Sequence, residues 1–179
     1  MIRIFAVLAL ASTSIVGAAS AAVSVESISG PEARVAEQVR KQIVKLPFYS
    51  IFDYITFRLD DGVVRLDGQV HRPSLRKSAE RVAEQVEGVD RVVNRIEILP
   101  TSFHDDRIRR SVYYALYSDP VLNRYALQAR PPIHIIVKNG DVSLEGVVSR
   151  QMEKNVAGIR ANTVSGVFSV SNNLRVERS

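Results

Sequence analysis

The chain has 179 residues, a net charge of +5 and no cysteine. Its shares of apolar and charged residues are ordinary for a globular protein, which argues against intrinsic disorder. The lack of cysteine excludes disulfides, thiolate metal sites, cysteine nucleophiles and thioether-linked lipid anchors. Lys and Arg are interleaved with Asp and Glu rather than grouped in blocks, which argues against a nucleic-acid-binding protein.

The first residues predict a targeting segment. A positive start containing Arg3 and an apolar run over residues 4–11 precede the small-residue cleavage pattern Ala19-Ser20-Ala21. The apolar run is well short of the ~20 residues that a membrane-spanning helix needs. We therefore predict a cleaved signal peptide over residues 1–21 and export to the bacterial periplasm. Since no cysteine lies near the cleavage site, we do not expect a lipoprotein.

A ten-residue pattern occurs twice, at residues 61–70 and 139–148. In both copies a turn glycine starts a strand of alternating apolar and polar residues, and a second glycine interrupts that strand. Gly88 and Gly166 lie at the same spacing of 78, whereas the earlier pair Pro47 and Pro120 lies at a spacing of 73. The repeat predicts two small tandem domains, over residues 31–99 and 104–177.

The first copy predicts a helix followed by a hairpin. Pro31 suits the first turn of an amphipathic helix, and Pro47 lies just after its end. Alternating residues on either side of the Asp61-Gly62 turn predict two antiparallel strands. Gly68, inside the second strand, indicates a bulge or a close approach of another backbone segment.

A second helix and a closing strand complete the copy. Ser74 is the predicted N-cap of this helix, and Ile96 and Ile98 share one face of the closing strand. The second copy repeats this order, with five more residues between its first helix and first strand. We therefore predict an α+β fold of two small tandem domains, each a three-stranded mixed sheet covered by two helices.

The second copy carries a family resemblance. The residues concerned are Ser118-Asp119-Pro120, the Asn139-Gly140 turn, Val142-x-Leu144-x-Gly146-x-Val148, Gly166-Val167 and Val170-x-Asn172. They resemble the BON domain, and the chain is similar to tandem-BON periplasmic proteins of the osmotically inducible, envelope-maintenance type. The first copy departs from the pattern, with Leu46-Pro47 in place of the Asp-Pro step. The resemblance implies an envelope or stress-protection role, association with phospholipid, and no enzymatic activity.

A candidate binding surface lies where the copies differ. On the second helix of the second copy, Met152, Val156 and Ile159 fall beside the predicted core stripe, and their matched residues in the first copy are polar. The matched residues are Ser74, Ser78 and Arg81, and the basic residues that flank the apolar strip are Arg150, Lys154 and Arg160.

This apolar strip has three interpretations. It could rest on an anionic lipid surface, which its basic neighbours would favour. It could instead pack against the first domain or against the longer loop with Tyr125 and Leu127, or it could bind a protein partner. A tyrosine cluster in the preceding helix has two interpretations: a core edge or domain interface, or a membrane-interface or partner surface. Its members are Tyr113, Tyr114 and Tyr117.

Catalytic and metal-binding patterns are lacking in the sequence. His71, His104 and His134 are the only histidines, and none belongs to a ligand pair. His134 lies on the polar parity of its strand, so we expect it on the outward face of the sheet. Asp105 and Asp106 are expected to stabilise a helix N-terminus. No nucleophile or triad motif is present, so we predict no catalytic residue, no cofactor and no metal site.

These observations predict an exported, non-enzymatic binding module of the bacterial envelope. Its expected partner is an anionic phospholipid membrane, and its expected role is envelope integrity or stress protection. The alternative is a chaperone-like or structural module that binds protein in the periplasm. In either case we expect the two domains to pack on each other.

Overall fold

The computed structural model describes residues 30–128 and 131–177. The predicted signal peptide, residues 1–21, lies outside the described residues. Two α+β units follow one another along the chain, each built on a mixed sheet with two long helices. The predicted fold class is therefore confirmed.

The first unit contains two helices and four strand segments. Strand β2 is central, because β1 pairs with it in antiparallel fashion and β3 and β4 pair with it in parallel. The parallel pairing requires a crossover, which the second helix supplies. The elements are α1 (Pro31–Val44), β1 (Tyr54–Asp60), β2 (Val63–Val70), α2 (Pro73–Glu84), β3 (Arg91–Asn94) and β4 (Glu97–Ile98).

The second unit repeats this topology around its central strand β6. It adds one short helix, α4, in the longer loop, where the sequence predicted no element. The elements are α3 (Phe103–Tyr117), α4 (Asn123–Ala126), β5 (Ile133–Lys138), β6 (Asp141–Val148), α5 (Gln151–Asn162), β7 (Ser169–Asn172) and β8 (Arg175–Val176).

The glycine inside each central strand is required by a close backbone approach. A Cβ atom at Gly68 would lie 2.0 Å from the carbonyl oxygen of Tyr54, and one at Gly146 would lie 1.9 Å from that of Pro132. Both glycines also have a positive φ, near 120°, which residues with a side chain rarely adopt. The predicted close approach is confirmed in both copies.

The closing strand is broken in both units, which the sequence did not predict. In the first unit, the Asn94 side chain accepts a hydrogen bond from the Ile96 backbone N–H at 3.1 Å and donates to the Arg76 carbonyl at 2.9 Å. The interruption changes the parity of the strand beyond Asn94, so Leu99 is buried and Ile98 is exposed. The predicted placement of Ile96 and Ile98 on one face of a continuous strand was wrong for this reason.

The start of α2 also differs from the prediction. Arg72 occupies the N-cap position and Pro73 the first turn, so Ser74 lies inside the helix. Proline suits that first turn because its missing N–H would have no partner there in any case.

Each unit has its own apolar core between its helices and one face of its sheet. Segment 49–54 of the first unit also contacts the second unit. Ile51 and Phe52 pack against the second core, and the Ile51 carbonyl accepts a hydrogen bond from the Ile135 N–H at 2.7 Å. Lys138 forms an ion pair with Glu97 of the first unit at 2.6 Å.

Candidate functional site

Helix α5 carries the predicted binding surface, and a buried carboxylate fixes its first turn. Glu153 accepts hydrogen bonds from the Arg150 backbone N–H at 2.9 Å and from the Tyr125 hydroxyl at 2.8 Å. It also forms an ion pair with Arg124 at 2.7 Å. The matched residue in the first unit is Leu75, which is buried in an apolar core. The second unit thus anchors this helix through polar contacts that tie it to α4.

Two of the three apolar residues of the strip face outward. Met152 is 53% exposed and Ile159 is 63% exposed, whereas Val156 is half-buried and packs against the second core. Val156 therefore belongs to the edge of that core rather than to the exposed surface. In the longer loop, Tyr125 lies in the core and Leu127 is exposed. Neither of them covers Met152 or Ile159, which stay exposed.

The basic residues beside the strip differ in their contacts. Arg160 is held by Asp119, whose carboxylate lies 2.6 Å from its Nε atom. The Val121 backbone N–H and Arg160 both stabilise the charged form of Asp119 and lower its pKa. Arg150 is exposed and Lys154 half-exposed, and neither side chain forms an ion pair within residues 30–128 and 131–177.

A groove lies between the C-terminal ends of α3 and α5. It encloses about 390 Å³, and the Asp119–Arg160 ion pair forms part of its lining together with Tyr114 and Thr163. Tyr114 is exposed, whereas Tyr117 is buried and its hydroxyl donates to the Ile133 carbonyl at 3.2 Å. The tyrosine cluster is therefore divided between the core and this surface.

A second exposed apolar surface was not predicted from the sequence. Phe103 is 94% exposed at the start of α3, and Phe168 is 86% exposed just before β7. Their matched positions in the first unit are Gly30 and Asp90. Comparing the copies outside α5 would have found them, because large apolar residues replace a glycine and an acid.

Hydrogen bonds fix the turn beside Phe168. Asp105 is fully buried, and its carboxylate accepts from the backbone N–H groups of Asn139 and Gly140, each at 2.9 Å. The Phe168 N–H in turn donates to the Gly140 carbonyl at 2.9 Å. Asp105 therefore binds the β5–β6 turn, while Ser102 accepts at the N-cap of α3. The predicted helix-terminus role of Asp105 was incomplete.

The three histidines lie at different places in the fold. His134 is on the outward face of β5, as expected, but that face contacts Tyr49 and Tyr54 of the first unit. His71 faces Asp106 across the two units at 3.9 Å, and His104 is exposed. Within the described part of the chain, no three metal-ligating side chains come together. No helix there is long and apolar enough to span a bilayer.

Comparisons with known proteins agree with the repeat. The BON domain family model matches residues 31–100 and again residues 104–178. A protein of Anaplasma centrale, described as an uncharacterized protein in the gshII 5' region, is 29% identical over 158 residues. That alignment covers 83% of this chain and 96% of the relative.

Two solved structures of CdsD, a structural protein of the type III secretion system of Chlamydia trachomatis, also align with the chain. One, of its C-terminal domain, is 10% identical with a TM-score of 0.28, covering 79% of this chain and 96% of that one. The other is 11% identical with a TM-score of 0.29, covering 82% and 93%. Scores this low carry no argument about fold or function.

Proposed function

We propose that this chain, which belongs to the BON domain family, is an exported binding module whose second unit docks on an anionic phospholipid surface. The BON domain is a non-catalytic binding module associated with membrane phospholipid, and proteins that carry it are often periplasmic or membrane-associated. For this chain, the periplasm is the proposed location, and support of envelope integrity or protection under stress is the proposed role.

The observation that carries the proposal is the outward placement of Met152 and Ile159. Their matched residues in the first unit, Ser74 and Arg81, are polar and exposed. The shared fold therefore does not require an apolar residue at either position. Inserting a Met or Ile side chain into the acyl boundary of a membrane is worth about 2 kcal/mol when burial is complete.

Basic side chains add an electrostatic attraction. Arg150 and Lys154 flank the strip without an acidic partner in the described part of the chain. Each Lys or Arg near an anionic membrane surface contributes about 1 kcal/mol at physiological ionic strength. Phe103 and Phe168 offer a second apolar contact at another end of the same unit. The two surfaces are separable by mutation.

Vesicle flotation tests the proposal. The protein is mixed with vesicles of phosphatidylglycerol and phosphatidylcholine, or of phosphatidylcholine alone, and floated through a density gradient. We expect flotation with the anionic vesicles and loss of most of it at high salt, because the electrostatic contribution is screened. Flotation that is equal on both vesicle types would contradict the electrostatic part, and absence of flotation would contradict the proposal.

Substitutions copied from the first unit locate the contact. Met152→Ser with Ile159→Arg removes the strip, and Phe103→Gly with Phe168→Asp removes the phenylalanines. We expect the first pair to reduce binding about tenfold or more, because about 1.4 kcal/mol corresponds to a factor of ten. Ser74→Ala with Arg81→Lys is the matched control pair on α2, and it should leave vesicle binding unchanged. Loss of binding only with the phenylalanine pair would move the site to that surface.

Capture of a protein by the same strip is the competing outcome. It would appear as a polypeptide that co-purifies from envelope extract after detergent has removed the lipid, and that is lost in the Met152→Ser/Ile159→Arg variant. Such a result, without vesicle flotation, would replace the lipid proposal with the chaperone-like or structural alternative.

A further inference from the structure

The contact between the two units is centred on one histidine. The His134 ring lies 5.8 Å from the Tyr49 ring and 5.5 Å from the Tyr54 ring, measured between centroids. The neighbouring residue, Ile135, makes the 2.7 Å backbone hydrogen bond to Ile51 of the first unit. A titratable side chain from the second unit is thus enclosed by aromatic rings from the first.

The carboxylates near His134 are already engaged. Asp53 is buried, and its two oxygens accept from the His71 N–H at 2.7 Å and from the Ser50 N–H at 3.0 Å. Glu145 lies opposite His134 in the β5–β6 register and accepts from the Asn173 side chain at 2.6 Å. These two carboxylates therefore have other donors, and neither forms an ion pair with His134 in the described part of the chain.

Other charged and titratable groups also face the contact. Arg175 of β8 and Glu145 act electrostatically on Tyr54, which places charges of both signs beside that ring. Burial raises the pKa of Tyr49 to about 12, so this phenol stays neutral near His134. On the side of the first unit, the imidazole therefore meets two aromatic rings and the charge of the Asp53 carboxylate.

The imidazole is placed to be neutral. Its Nδ1 atom is buried with no hydrogen-bond partner among the described residues. Burial lowers the pKa of His134, and this effect outweighs the carbonyl groups of Asp53 and Ser50 and the charge of the Asp53 carboxylate, which all favour the protonated form. Burying a cation is costly, so a protonated ring gains by reaching water.

We propose that this contact is a proton-sensitive joint, in which the two units stay packed while His134 is neutral and separate when acid protonates it. Separation would expose the outer edge of β5, now bonded to Ile51, together with the apolar side chains of Ile51 and Phe52. Unlike the proposed function, the joint does not depend on lipid.

The direction of the pKa shift of His134 determines how the stability of the packed state depends on pH. Since the packed state lowers the pKa of His134 from its ordinary value of 6.5, that state binds fewer protons than the separated state. The stabilisation is therefore complete above about pH 6.5 and is lost as the pH falls through the lower value. His71 and Asp106 also face each other across the joint, at 3.9 Å.

Distance measurements between the units test the joint. Because the chain has no cysteine, Glu84→Cys in the first unit and Ser165→Cys in the second introduce two unique sites for spin labels. Both positions are exposed. Pulsed electron paramagnetic resonance should show one distance population at about pH 8, and a second, longer population that grows between about pH 6.5 and pH 5.

Histidine variants assign the effect. His134→Phe keeps an aromatic ring in the contact but cannot be protonated, so its label distances should stay the same down to about pH 5. In the His104→Gln variant, which changes an exposed histidine, the label distances should lengthen in acid as they do in the unaltered chain. If His134→Phe does not fold, His134→Gln provides the neutral comparison.

Two results would overturn the proposal. One is a distance distribution of the unaltered chain that does not change between about pH 8 and pH 5. The other is acid opening in the neutral His134 variant equal to that of the unaltered chain, since the proton would then act elsewhere. No lipid enters the measurement, so failure of vesicle binding leaves this test intact.

Discussion

The two units share a scaffold and differ in what is attached to it. Both have the turn glycine, the glycine inside the central strand and the asparagine that breaks the closing strand. At matched positions on the second long helix, the first unit has buried Leu75 where the second has buried Glu153. The surface of that helix also changes, from polar to partly apolar. Shared residues are therefore explained by folding, and function is better sought where the units differ.

The largest expected effect tests the shared scaffold. Gly68→Ala and Gly146→Ala would each place a Cβ about 2 Å from a backbone carbonyl oxygen, that of Tyr54 or Pro132. Because both positions also have a positive φ, we expect each substitution to destabilise its own unit by at least ~2 kcal/mol. Gly140→Ala, which meets its nearest neighbour at 3.6 Å, is the milder control. Hydrogen exchange resolved by unit measures the loss, and a central-strand variant no more harmful than the turn variant would contradict the scaffold role.

The next effect concerns the buried acid of the second unit. Glu153→Ala removes the acceptor of the Tyr125 hydroxyl and the partner of Arg124. Breaking a buried ion pair costs about 3 kcal/mol, and partial exposure of Arg124 should keep the loss at or below that value. Leu75→Ala is the matched change in the first unit, with an expected cost of about 2–4 kcal/mol. In urea unfolding, a Glu153→Ala chain as stable as the unaltered one would show that the network only orients α5.

A smaller effect is the loss of stability of the second unit at low pH. The pKa of Asp119 is lowered by the Val121 N–H and by Arg160, whereas the first unit has Leu46 at the matched position. Because the folded pKa is depressed, the stabilisation is present above the ordinary value of 3.8 and is lost as the pH falls through the lower folded value. Urea unfolding of the second unit as a function of pH should show this loss, and Asp119→Asn should reduce it. An unchanged acid dependence in that variant would assign the loss to other carboxylates.

The smallest expected effect is on the stability of the strip variant. Met152→Ser with Ile159→Arg changes two outward-facing residues, so the free energy of unfolding should move by less than ~0.5 kcal/mol per site. Thermal unfolding of this variant beside the unaltered chain checks the value. A much larger loss would mean that these side chains support the fold, and a loss of vesicle binding could then not be assigned to the surface.

The sequence predicted the repeated scaffold well because its signals are local. Turn glycines, helix-starting prolines and strand alternation each act over a few residues. The break at Asn94 was missed because it depends on two hydrogen bonds of the Asn94 side chain, to the Arg76 carbonyl and to the Ile96 N–H. Arg76 is distant in sequence, so a local pattern does not reveal that contact. Polar parity correctly placed His134 on the outward face of its strand, yet parity does not say that another unit covers that face.

The candidate surface was predicted only in part. Sequence comparison of the two copies selected Met152, Val156 and Ile159, and the structure separates the half-buried Val156 from the other two. Helical periodicity could not make that distinction, because it depends on how α5 packs on the second core. Phe103 and Phe168 were available to the same comparison, but they lie outside the helix to which it was applied.

Fluorescence from a single labelled site gives the sharpest test of membrane docking by the apolar strip. Because the chain has no cysteine, Ile159→Cys and the matched Arg81→Cys can each carry one environment-sensitive dye. On addition of phosphatidylglycerol vesicles, we expect a blue shift and a rise in intensity at position 159, with little change at position 81. No response at position 159, or an equal response at both positions, would contradict docking through this strip.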